Sequence, residues 1–494
     1  MGTTVSVFVS SAFLVVLLTP FVICLAGRIG AMDHPGIRKV HEHPIARLGG
    51  LAIVLSSMTV LITTSFVNDL AEAPLGGVRR PLGAVLIAAT FIFLIGLADD
   101  LRGLPARMKF LAEVTAAGAL CWTGVHIDDI ELADRLILHT GEWGSVLTML
   151  WIVGVTNAVN ISDGLDGLAA GVAAVACGAI AIVSFQGGDV FTAVFALSLL
   201  GSLAGFLVFN FHPAKVFMGD CGSLFLGFAI AACSVVCVAR SRDPIGLALP
   251  ALALGIPIFD TIFSMIRRSL DRRSLFAPDR SHFHHRLLDL GLSQRCAVLV
   301  IYLVTLMAVG FGLLMMVTED LTALLVFGCV LLLLMLLFQA VGVVRLHESL
   351  MRLHHKCAVR RLEREDQRVF ESLELRFRQM QDAQQWRQTI REAASGMDLA
   401  WVSFRTTRGG DDNEEHLWRS PKVEGSDEEV VTITLPFHNG DPTSPHEFEI
   451  GIQAHGSLET AGRRAMLFGR LLDEHGDVVA TCGGAVQASH KQMG

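Results

Sequence analysis

The chain contains little charge for its length. Charged residues make up only 17% of its 494 residues, hydrophobic residues make up 52%, and the mean hydropathy is +0.54. Soluble globular domains average roughly 25% charged residues, so this composition excludes a protein that is soluble throughout. Apolar runs long enough to cross a bilayer as helices recur over residues 1–344. We therefore predict a polytopic membrane protein.

The sequence also lacks cysteine motifs and the start of a cleaved signal peptide. The ten cysteines lie mostly within apolar runs, at spacings that form neither a metal-binding pair nor a disulfide framework. The N-terminus lacks the basic start of a cleaved signal peptide, and other apolar runs follow it at once. We therefore expect the cysteines to be packing residues and the first helix to be retained.

The apolar runs predict an all-α membrane domain with about eleven transmembrane helices. They lie near residues 5–27, 47–67, 82–98, 108–124, 145–160, 168–184, 191–210, 222–240, 246–266, 296–317 and 321–344. The connections that follow odd-numbered helices carry most of the Lys and Arg residues, and short basic loops stay on the cytoplasmic side. This pattern predicts an N-terminus outside and a C-terminus in the cytoplasm.

The composition changes at about residue 345. Residues 345–394 are rich in Arg, Glu, Gln and Leu at roughly helical spacing, which predicts a charged linker helix that pairs in a coiled coil. Residues 395–494 predict a small α+β cytoplasmic domain. Its expected elements are strands at 399–405, 430–436 and 447–452, a helix at 461–472 and an exposed acidic loop at 409–428. We expect this tail to regulate or oligomerise the protein.

Polar side chains are concentrated in five connections, all predicted to face the cytoplasm. The run 157–167 reads Asn-Ala-Val-Asn-Ile-Ser-Asp-Gly-Leu-Asp-Gly. Ionisable groups beside a membrane span are costly to desolvate, so such a run is a candidate site. The other four runs are 33–50, 99–109, 215–223 and 278–286. Because all five share one side of the membrane, we predict that they form one site.

The residue types in these loops indicate a chemistry. Carboxylates with Asn suit Mg²⁺, which also takes phosphate oxygens as ligands, and Lys and Arg would hold those phosphates. The histidines of the last loop lack a thiolate pair, so hydrogen bonding to phosphate is favoured over a zinc cluster. The pattern predicts metal-assisted phosphoryl transfer at the inner membrane surface.

Simpler explanations exist for each motif alone. Asp99-Asp100 could be a solvated pair at a helix end, the glycines could serve turns, and the basic residues could mark topology. Clustering on one side favours a site instead. The alternative from another class is an ion-coupled transporter, whose charges lie near the bilayer midplane, whereas these lie at the ends of spans.

In order along residues 28–295, the five motifs resemble those of the polyprenyl-phosphate N-acetylhexosamine-1-phosphate transferases. Residues Asp279-Arg280-Ser281-His282-Phe283-His284-His285 resemble the bacterial branch that transfers N-acetylglucosamine 1-phosphate, since the muramoyl-pentapeptide branch has Pro-Ile-His-His-His there. The resemblance implies transfer from UDP-GlcNAc to undecaprenyl phosphate with release of UMP. That step initiates cell-surface polysaccharide, O-antigen or other lipopolysaccharide synthesis, or cell wall biogenesis, at the bacterial inner membrane. The alternative donors are other UDP-N-acetylhexosamines, including muramoyl-pentapeptide.

The resemblance also implies roles for individual residues. The metal ion, Mg²⁺ or alternatively Mn²⁺, would be held by Asp220, Asn160 and Asp100. The catalytic residues would be Asp99, Asp100, Lys109, Asp163 and His284. The substrate-binding residues would be Lys39, Asn157, Asp163, Asp166, Arg280, His282, His284 and His285. Asp99 would deprotonate or orient the lipid phosphate, Lys109 would bind phosphate, and Asp166 would lie near the uracil.

Three further expectations follow from the resemblance. The ninth span should be kinked, with Pro250, Gly255 and Pro257 as helix breakers. The protein should form a homodimer among membrane lipids, with no nucleic acid as a partner. Direct attack by the lipid phosphate is favoured over a phospho-aspartate route, because that phosphate is already largely ionised near neutral pH.

Overall fold

The computed structural model of the protein describes residues 2–33, 43–67, 79–133, 136–241, 244–270, 282–318, 320–342, 346–380, 383–408, 411–421, 430–437, 446–453 and 458–475. The chain divides into two compact units, Met1–Leu346 and His347–Gly494. The first is a helical membrane unit and the second contains a small sheet. The predicted fold class is therefore confirmed.

The described part of the first unit contains thirteen helices and two short antiparallel strand pairs. The helices are α1 (Gly2–Ile29), α2 (Gly49–Val67), α3 (Arg79–Arg102), α4 (Ala106–Trp122), α5 (Trp143–Ser162), α6 (Leu168–Gln186), α7 (Val190–Asn210), α8 (Gly219–Ser241), α9 (Ile245–Ala253), α10 (Gly255–Leu270), α11 (Phe283–Asp289), α12 (Gln294–Met315) and α13 (Asp320–Ala340). The strand pairs are β1 (Met32–Asp33) with β2 (Ile45–Ala46), and β3 (Asp129–Ala133) with β4 (Leu136–His139).

Nine of the described helices are long and apolar enough to cross a membrane, and α9 with α10 forms one bent pair. Helix α4 also runs between the two ends of the bundle. Lys109 near its start contacts Asp220 at the start of α8, whereas Ile127, just after its end, donates from its backbone N–H to Thr148 near the start of α5. Seventeen residues span about 25 Å as a helix. With the bent pair counted once, the described residues contain ten candidate spans, and α4 lies at the position of the eleventh predicted span, 108–124.

Helix α8 is the centre of the membrane unit. Its membrane-spanning window is buried along its whole length. Gly, Ala, Ser and Cys alternate there with large apolar residues such as Phe225 and Phe228, so no side of the helix is polar. A helix that is apolar all round is one that other helices surround, and small residues let those helices approach closely. The start of α8 therefore brings Asp220 to the middle of one end of the bundle.

The predicted kink in the ninth span is confirmed. Helices α9 and α10 are bent by 75° at Leu254. Pro257, in the first turn of α10, has no N–H to donate to the carbonyl of Ala253, so one bond of the helical ladder is missing at the bend. The bend directs α10 away from the course of α9.

The second unit contains a four-stranded antiparallel sheet in the order β6-β5-β8-β7. Its elements are α14 (Leu346–Arg378), α15 (Ala383–Gly396), β5 (Leu399–Arg408), β6 (Asp411–Arg419), β7 (Val430–Phe437), β8 (His446–Gln453) and α16 (Leu458–Glu474). The three predicted strands and the predicted helix correspond to β5, β7, β8 and α16.

Two expectations for the tail were wrong. The acidic run predicted as a loop at 409–428 contains strand β6, which pairs with β5 and buries Leu417 while Glu415 stays exposed. A strand at the edge of a sheet needs apolar residues on only one face. The acidic residues on the other face of β6 made this segment look like an exposed loop in the sequence. The predicted linker at 345–394 is not separate from the domain either, because Phe377 of α14 and Ile390 of α15 lie in the same core as Phe448.

Candidate active site

Two carboxylates from different helices share one ammonium group. Asp99 lies in the last turn of α3, Asp220 in the first turn of α8 and Lys109 in the first turn of α4. Lys109 Nζ donates to Asp99 Oδ2 at 2.9 Å and to Asp220 Oδ2 at 2.5 Å. The predicted grouping of these three side chains is therefore present in the structure.

Asp100 holds the backbone at the start of α8. Its Oδ1 accepts from the backbone N–H of Asp220 at 3.0 Å, and its Oδ2 accepts from that of Cys221 at 2.9 Å. Arg47 Nη2 donates to Oδ1 at 3.3 Å, and the side chain is fully buried. A helix N-terminus has unpaired N–H groups that favour a carboxylate. Both oxygens of Asp100 therefore orient the start of α8, and its role as a metal ligand stays a prediction.

Residues 46–50 lie against residues 216–218. Ala46 forms a parallel bridge with Val216, and the N–H groups of Gly49 and Gly50 donate to the carbonyls of Phe217 and Met218 at 2.9 and 2.7 Å. This pairing places the Arg47 side chain beside Asp100. Neighbouring glycines permit the contact, since a Cβ on Gly50 would lie 2.2 Å from the nitrogen of Gly222.

Gly219 has a positive φ and is tightly packed at the start of α8, and its replacement is expected to destabilise the protein. Its φ is +74°, and an added Cβ would lie 2.0 Å from the carbonyl oxygen of Arg47 and 2.6 Å from Asp100 Oδ2. We expect Gly219→Ala to lower the unfolding free energy by about 1–3 kcal/mol and to lower the melting temperature in detergent. Gly83→Ala is the control, because a Cβ on Gly83 meets nothing within 4 Å. Equal melting temperatures for the two variants would contradict this account.

The two asparagines of run 157–167 point into different contacts. Asn157 Nδ2 donates to Glu113 Oε2 and, at 2.9 Å, to the carbonyl of Val153. Asn160 Nδ2 donates to Ser223 Oγ at 2.8 Å. Asn160 thus lies against the start of α8, at the residue three positions beyond Asp220. Its role as a second metal ligand stays a prediction. Asn157 lies one helical turn earlier in α5 and contacts a buried carboxylate, Glu113, which the sequence analysis missed. Its predicted contact with substrate stays a prediction.

A cavity of about 900 Å³ opens beside these carboxylates. Its lining includes residues from four of the five predicted loops. They are Asp33, His43, Pro44, Ile45, Arg47, Asp163, Gly164, Leu165, Asp166, Asn210, His212, Pro213, Ala214, Lys215, Phe217, Gly219, Asp220, His285 and Gln294. The fifth loop reaches the cavity through Lys109, which contacts Asp220. The structure therefore brings the described parts of the five polar runs to one end of the bundle.

Asp163 and Asp166 lie on the same wall of this cavity but differ in surroundings. Burial, followed by the negative charges of Asp220 and Asp100, raises the pKa of the Asp163 carboxyl to about 7. Asp166 Oδ2 lies 2.7 Å from His212 Nδ1 and accepts from the backbone N–H of Ala214 at 3.1 Å. Asp166 therefore holds loop 210–220 at the cavity wall.

The three predicted histidines form a stack of rings, and only His285 lines the cavity. The rings of His282 and His284 are parallel with centroids 5.8 Å apart, and His284 lies 4.4 Å from His285. His284 is buried against Gly164, and burial with its two histidine neighbours lowers its pKa to about 3. A neutral buried His284 supplies no positive charge, so any contact that it makes with pyrophosphate would be a hydrogen bond between neutral imidazole and phosphate. The predicted substrate contacts of His282 and His284 stay predictions. Lys39 and Arg280 lie outside the described residues.

Comparison with known proteins identifies the family to which the chain belongs. Residues 82–238 match the family model for glycosyl transferase family 4. The chain is 41% identical over 300 residues, 60% of its length, to 80% of a Bacillus subtilis protein named probable undecaprenyl-phosphate N-acetylglucosaminyl 1-phosphate transferase. The chain belongs to the polyprenyl-phosphate hexosamine-1-phosphate transferases. The predicted family is confirmed, and the protein is a phosphosugar transferase.

Two other relatives come from different branches of the transferase family, one named for N-acetylglucosamine and one for muramoyl-pentapeptide. The transferase is 37% identical over 302 residues, 56% of its length, to 74% of a Mycobacterium tuberculosis decaprenyl-phosphate N-acetylglucosaminephosphotransferase. It is 33% identical over 250 residues, 48% of its length, to 74% of a Levilactobacillus brevis phospho-N-acetylmuramoyl-pentapeptide-transferase.

Sequence reasoning missed two polar side chains that support the transferase's site. Asn210, at the end of α7, accepts from Gly167 N at 3.1 Å and donates to the carbonyl of Val216 at 2.9 Å. Tyr302, the only tyrosine of the chain, donates from α12 to the carbonyl of Gly167 at 2.5 Å. Both hold the loop that carries Asp163. The rarity of tyrosine was the only signal for Tyr302, and Asn210 lay within an apolar span.

The residues at the start of α8 fit a divalent cation. Four carboxylates gather there with two basic side chains. They are Asp99, Asp100, Asp163 and Asp220, with Arg47 and Lys109. Such an excess of negative charge favours a cation. Among the described residues no three His, Cys, Asp or Glu side chains could hold a metal ion as a group. A Mg²⁺ site does not require three such side chains, since Mg²⁺ binds through one or two carboxylates, waters and substrate phosphates.

The raised pKa of Asp163 predicts a dependence of stability on pH. Its carboxyl binds a proton more tightly in the folded protein, with a pKa of about 7, than at its ordinary value of 3.8. The folded state therefore loses stability from this group as pH rises through 7. In metal-free buffer, the melting temperature of Asp163→Asn minus that of wild type should increase as pH rises from about 5 to about 8. A difference that stays constant over this range would contradict the assignment.

Proposed function

We propose that the transferase moves N-acetylglucosamine 1-phosphate from UDP-GlcNAc to undecaprenyl phosphate and releases UMP. One observation carries the proposal. Four polar loops line a single cavity at one end of the membrane-spanning bundle, where a water-soluble donor and a lipid acceptor can meet. Its volume of about 900 Å³ lies in the range of ligand pockets.

The cavity offers different chemistry to the two ends of a nucleotide sugar. Phe217 provides an apolar ring beside the polar groups of Asp166 and Asn210, which suits a stacked and hydrogen-bonded base such as uracil. Lys215 and Arg47 supply positive charge for the diphosphate. This arrangement supports the predicted placement of the nucleotide near Asp166.

We assign Mg²⁺, with Mn²⁺ as the alternative, to Asp220 and Asn160. When bound, the ion would neutralise charge that develops on the phosphates. Asp100 contributes by orienting the first turn of α8, and Ser223 by holding the Asn160 amide. These contacts keep both proposed ligands in place before any substrate binds.

The proposed reaction is a direct displacement. An oxygen of the lipid phosphate attacks the β-phosphorus of UDP-GlcNAc, the new P–O bond forms, and the bond to the bridging oxygen breaks with its electron pair leaving on UMP. Lys109 holds a phosphate oxygen, and Asp99 orients Lys109 and the incoming phosphate. A lipid phosphate that is already ionised needs no strong base, which favours this route over a phospho-aspartate intermediate.

The choice of N-acetylglucosamine rests on two observations. The Bacillus and Mycobacterium relatives with N-acetylglucosamine in their names are 41% and 37% identical to the chain, against 33% for the muramoyl-pentapeptide transferase. The histidine segment 279–285 also differs from the muramoyl pattern. We propose that the product initiates cell-surface polysaccharide or O-antigen synthesis.

The proposed setting is the bacterial inner membrane. The site would face the cytoplasm, as would the C-terminus, because the connections that follow odd-numbered helices carry most of the Lys and Arg residues. Arg47 and Lys109, which belong to two of these connections, lie at the site end. We also propose that the protein is a homodimer and that residues 345–494 regulate it or assist its assembly. Loss of residues 345–494 without effect on activity, assembly or regulation would remove the second idea.

The test uses purified full-length protein with undecaprenyl phosphate, Mg²⁺ and a set of UDP-sugars. UMP release should require the lipid and should be fastest with UDP-GlcNAc, and EDTA should stop it. The control omits undecaprenyl phosphate. UMP release with UDP-MurNAc-pentapeptide alone would redirect the donor assignment, and no UMP from any UDP-amino sugar would refute the proposed function.

A further inference from the structure

One buried carboxylate at the site end belongs to none of the five loops. Asp260 lies on α10, beyond the bend that separates this helix from α9, and is only 5% exposed. Its Oδ2 lies 3.0 Å from His282 Nδ1, and its Oδ1 accepts from the backbone N–H of Phe283 at 2.9 Å. Asp260 therefore joins the bent half of the span to the start of the histidine segment.

The contact with Asp260 determines which nitrogen of His282 carries hydrogen. An ionised carboxylate can only accept a hydrogen bond, so Nδ1 must be the donor. In neutral His282 the other nitrogen, Nε2, is then an acceptor on the side of the ring away from Asp260. A carboxylate that selects a histidine tautomer in this way is a common supporting device in enzyme sites.

His282 is connected to the cavity by direct ring contacts. It stacks on His284, which contacts His285, and His285 lines the cavity. Phe283 is buried, and its ring centroid lies 4.5 Å from that of Phe338 on α13. The histidine segment therefore has little room to shift. As a result, the tautomer and ring orientation of His282 affect the position of the His285 ring.

We propose that Asp260 is a positioning residue of the transferase. It selects the Nδ1–H tautomer of His282, orients that ring and, through the imidazole stack, places His285 at the cavity wall. Asp260 does not line the cavity, so it acts through His282 and not on the substrate. The kinetic part of the test rests on the proposed function, whereas the spectroscopic part does not.

Asp260→Asn separates tautomer selection from packing. An asparagine can keep both contacts if its Oδ1 accepts from Phe283 N and its Nδ2 donates to His282 Nδ1. That arrangement forces the hydrogen of His282 onto Nε2. The variant should therefore fold like wild type, carry the reversed tautomer and lose kcat by roughly 10–100-fold. KM for the nucleotide sugar should change less, since the other cavity walls are untouched.

The tautomer is read from the side-chain ¹⁵N NMR shifts of histidine-labelled full-length protein, with His282 assigned by its absence from His282→Ala. Asp189→Asn is the matched control, because Asp189 is also buried and accepts from a backbone N–H, that of Thr192, but lies at the opposite end of α7 from the cavity. It should leave kcat and the His282 shifts unchanged. Adding Asp260→Asn to His282→Ala should cause no further loss of kcat.

Three results would overturn the proposal. They are an Nε2–H tautomer in the wild-type protein, wild-type kcat in Asp260→Asn, and equal slowing by Asp260→Asn with and without the His282 side chain. If wild type transferred no sugar phosphate from any donor, the proposed function would fail instead, and the NMR shifts would still decide whether Asp260 selects the tautomer.

Discussion

Replacing Asp220 by asparagine is expected to lower turnover roughly 10³-fold. Asp220 is the proposed metal ligand at the start of α8, and its Oδ2 accepts from Lys109 at 2.5 Å. The amide removes the negative charge that would hold a cation and leaves Lys109 with Asp99 alone. The measurement is UMP release at saturating substrates, together with Mn²⁺ binding followed by electron paramagnetic resonance, which should weaken in parallel.

The control for this substitution is Asp128→Asn. The Asp128 side chain is 69% exposed and pairs with His126 at the opposite end of the bundle. It should therefore retain wild-type turnover and Mn²⁺ binding. Equal losses in the two variants would show that the substitutions act by general destabilisation, and the proposed site would be wrong.

Lys109→Met is the second substitution with a large expected effect. We expect turnover to fall roughly 10²-fold, because the ammonium that would hold phosphate is lost. Mn²⁺ should nevertheless bind more tightly than in wild type. Without Lys109, Asp99 and Asp220 lose the cation that they share, so a divalent ion meets less competition and more uncompensated negative charge.

Arg107→Met is the matched control for Lys109, since Arg107 is a basic, exposed residue two positions earlier in α4. Its turnover and Mn²⁺ affinity should stay at wild-type values. If Lys109→Met weakened Mn²⁺ binding together with turnover, the lysine would be holding the carboxylates in place, and its assignment to phosphate would be withdrawn.

The sequence predicted most of the membrane fold because its signals are local. The length of the apolar runs gives the spans. The bend that the family resemblance implied near Pro250, Gly255 and Pro257 is found at Leu254. The distribution of Lys and Arg among the connections predicted that the polar runs converge on one side of the membrane. Lys109, Asp163 and His285 do lie at one end of the bundle.

Roles that depend on packing could not be read from the chain. Asp100 follows Asp99 directly, yet successive residues on a helix face different neighbours, so Asp99 meets Lys109 and Asp100 meets the start of α8. Glu113 and Asp260 lie within apolar helices, and only the tertiary structure shows that they contact Asn157 and His282. In the tail, β6 was missed because one-sided burial leaves a strand acidic in composition.

The most direct test of the account follows the β-phosphate. Full-length protein receives undecaprenyl phosphate, Mg²⁺ and UDP-GlcNAc labelled with ³²P in the β-phosphate. The account predicts that the label enters the lipid fraction in the same amount as unlabelled UMP appears in solution. Label that stays in soluble UDP while the sugar alone reaches the lipid would show glycosyl transfer without phosphate, and would contradict a sugar-phosphate transferase site.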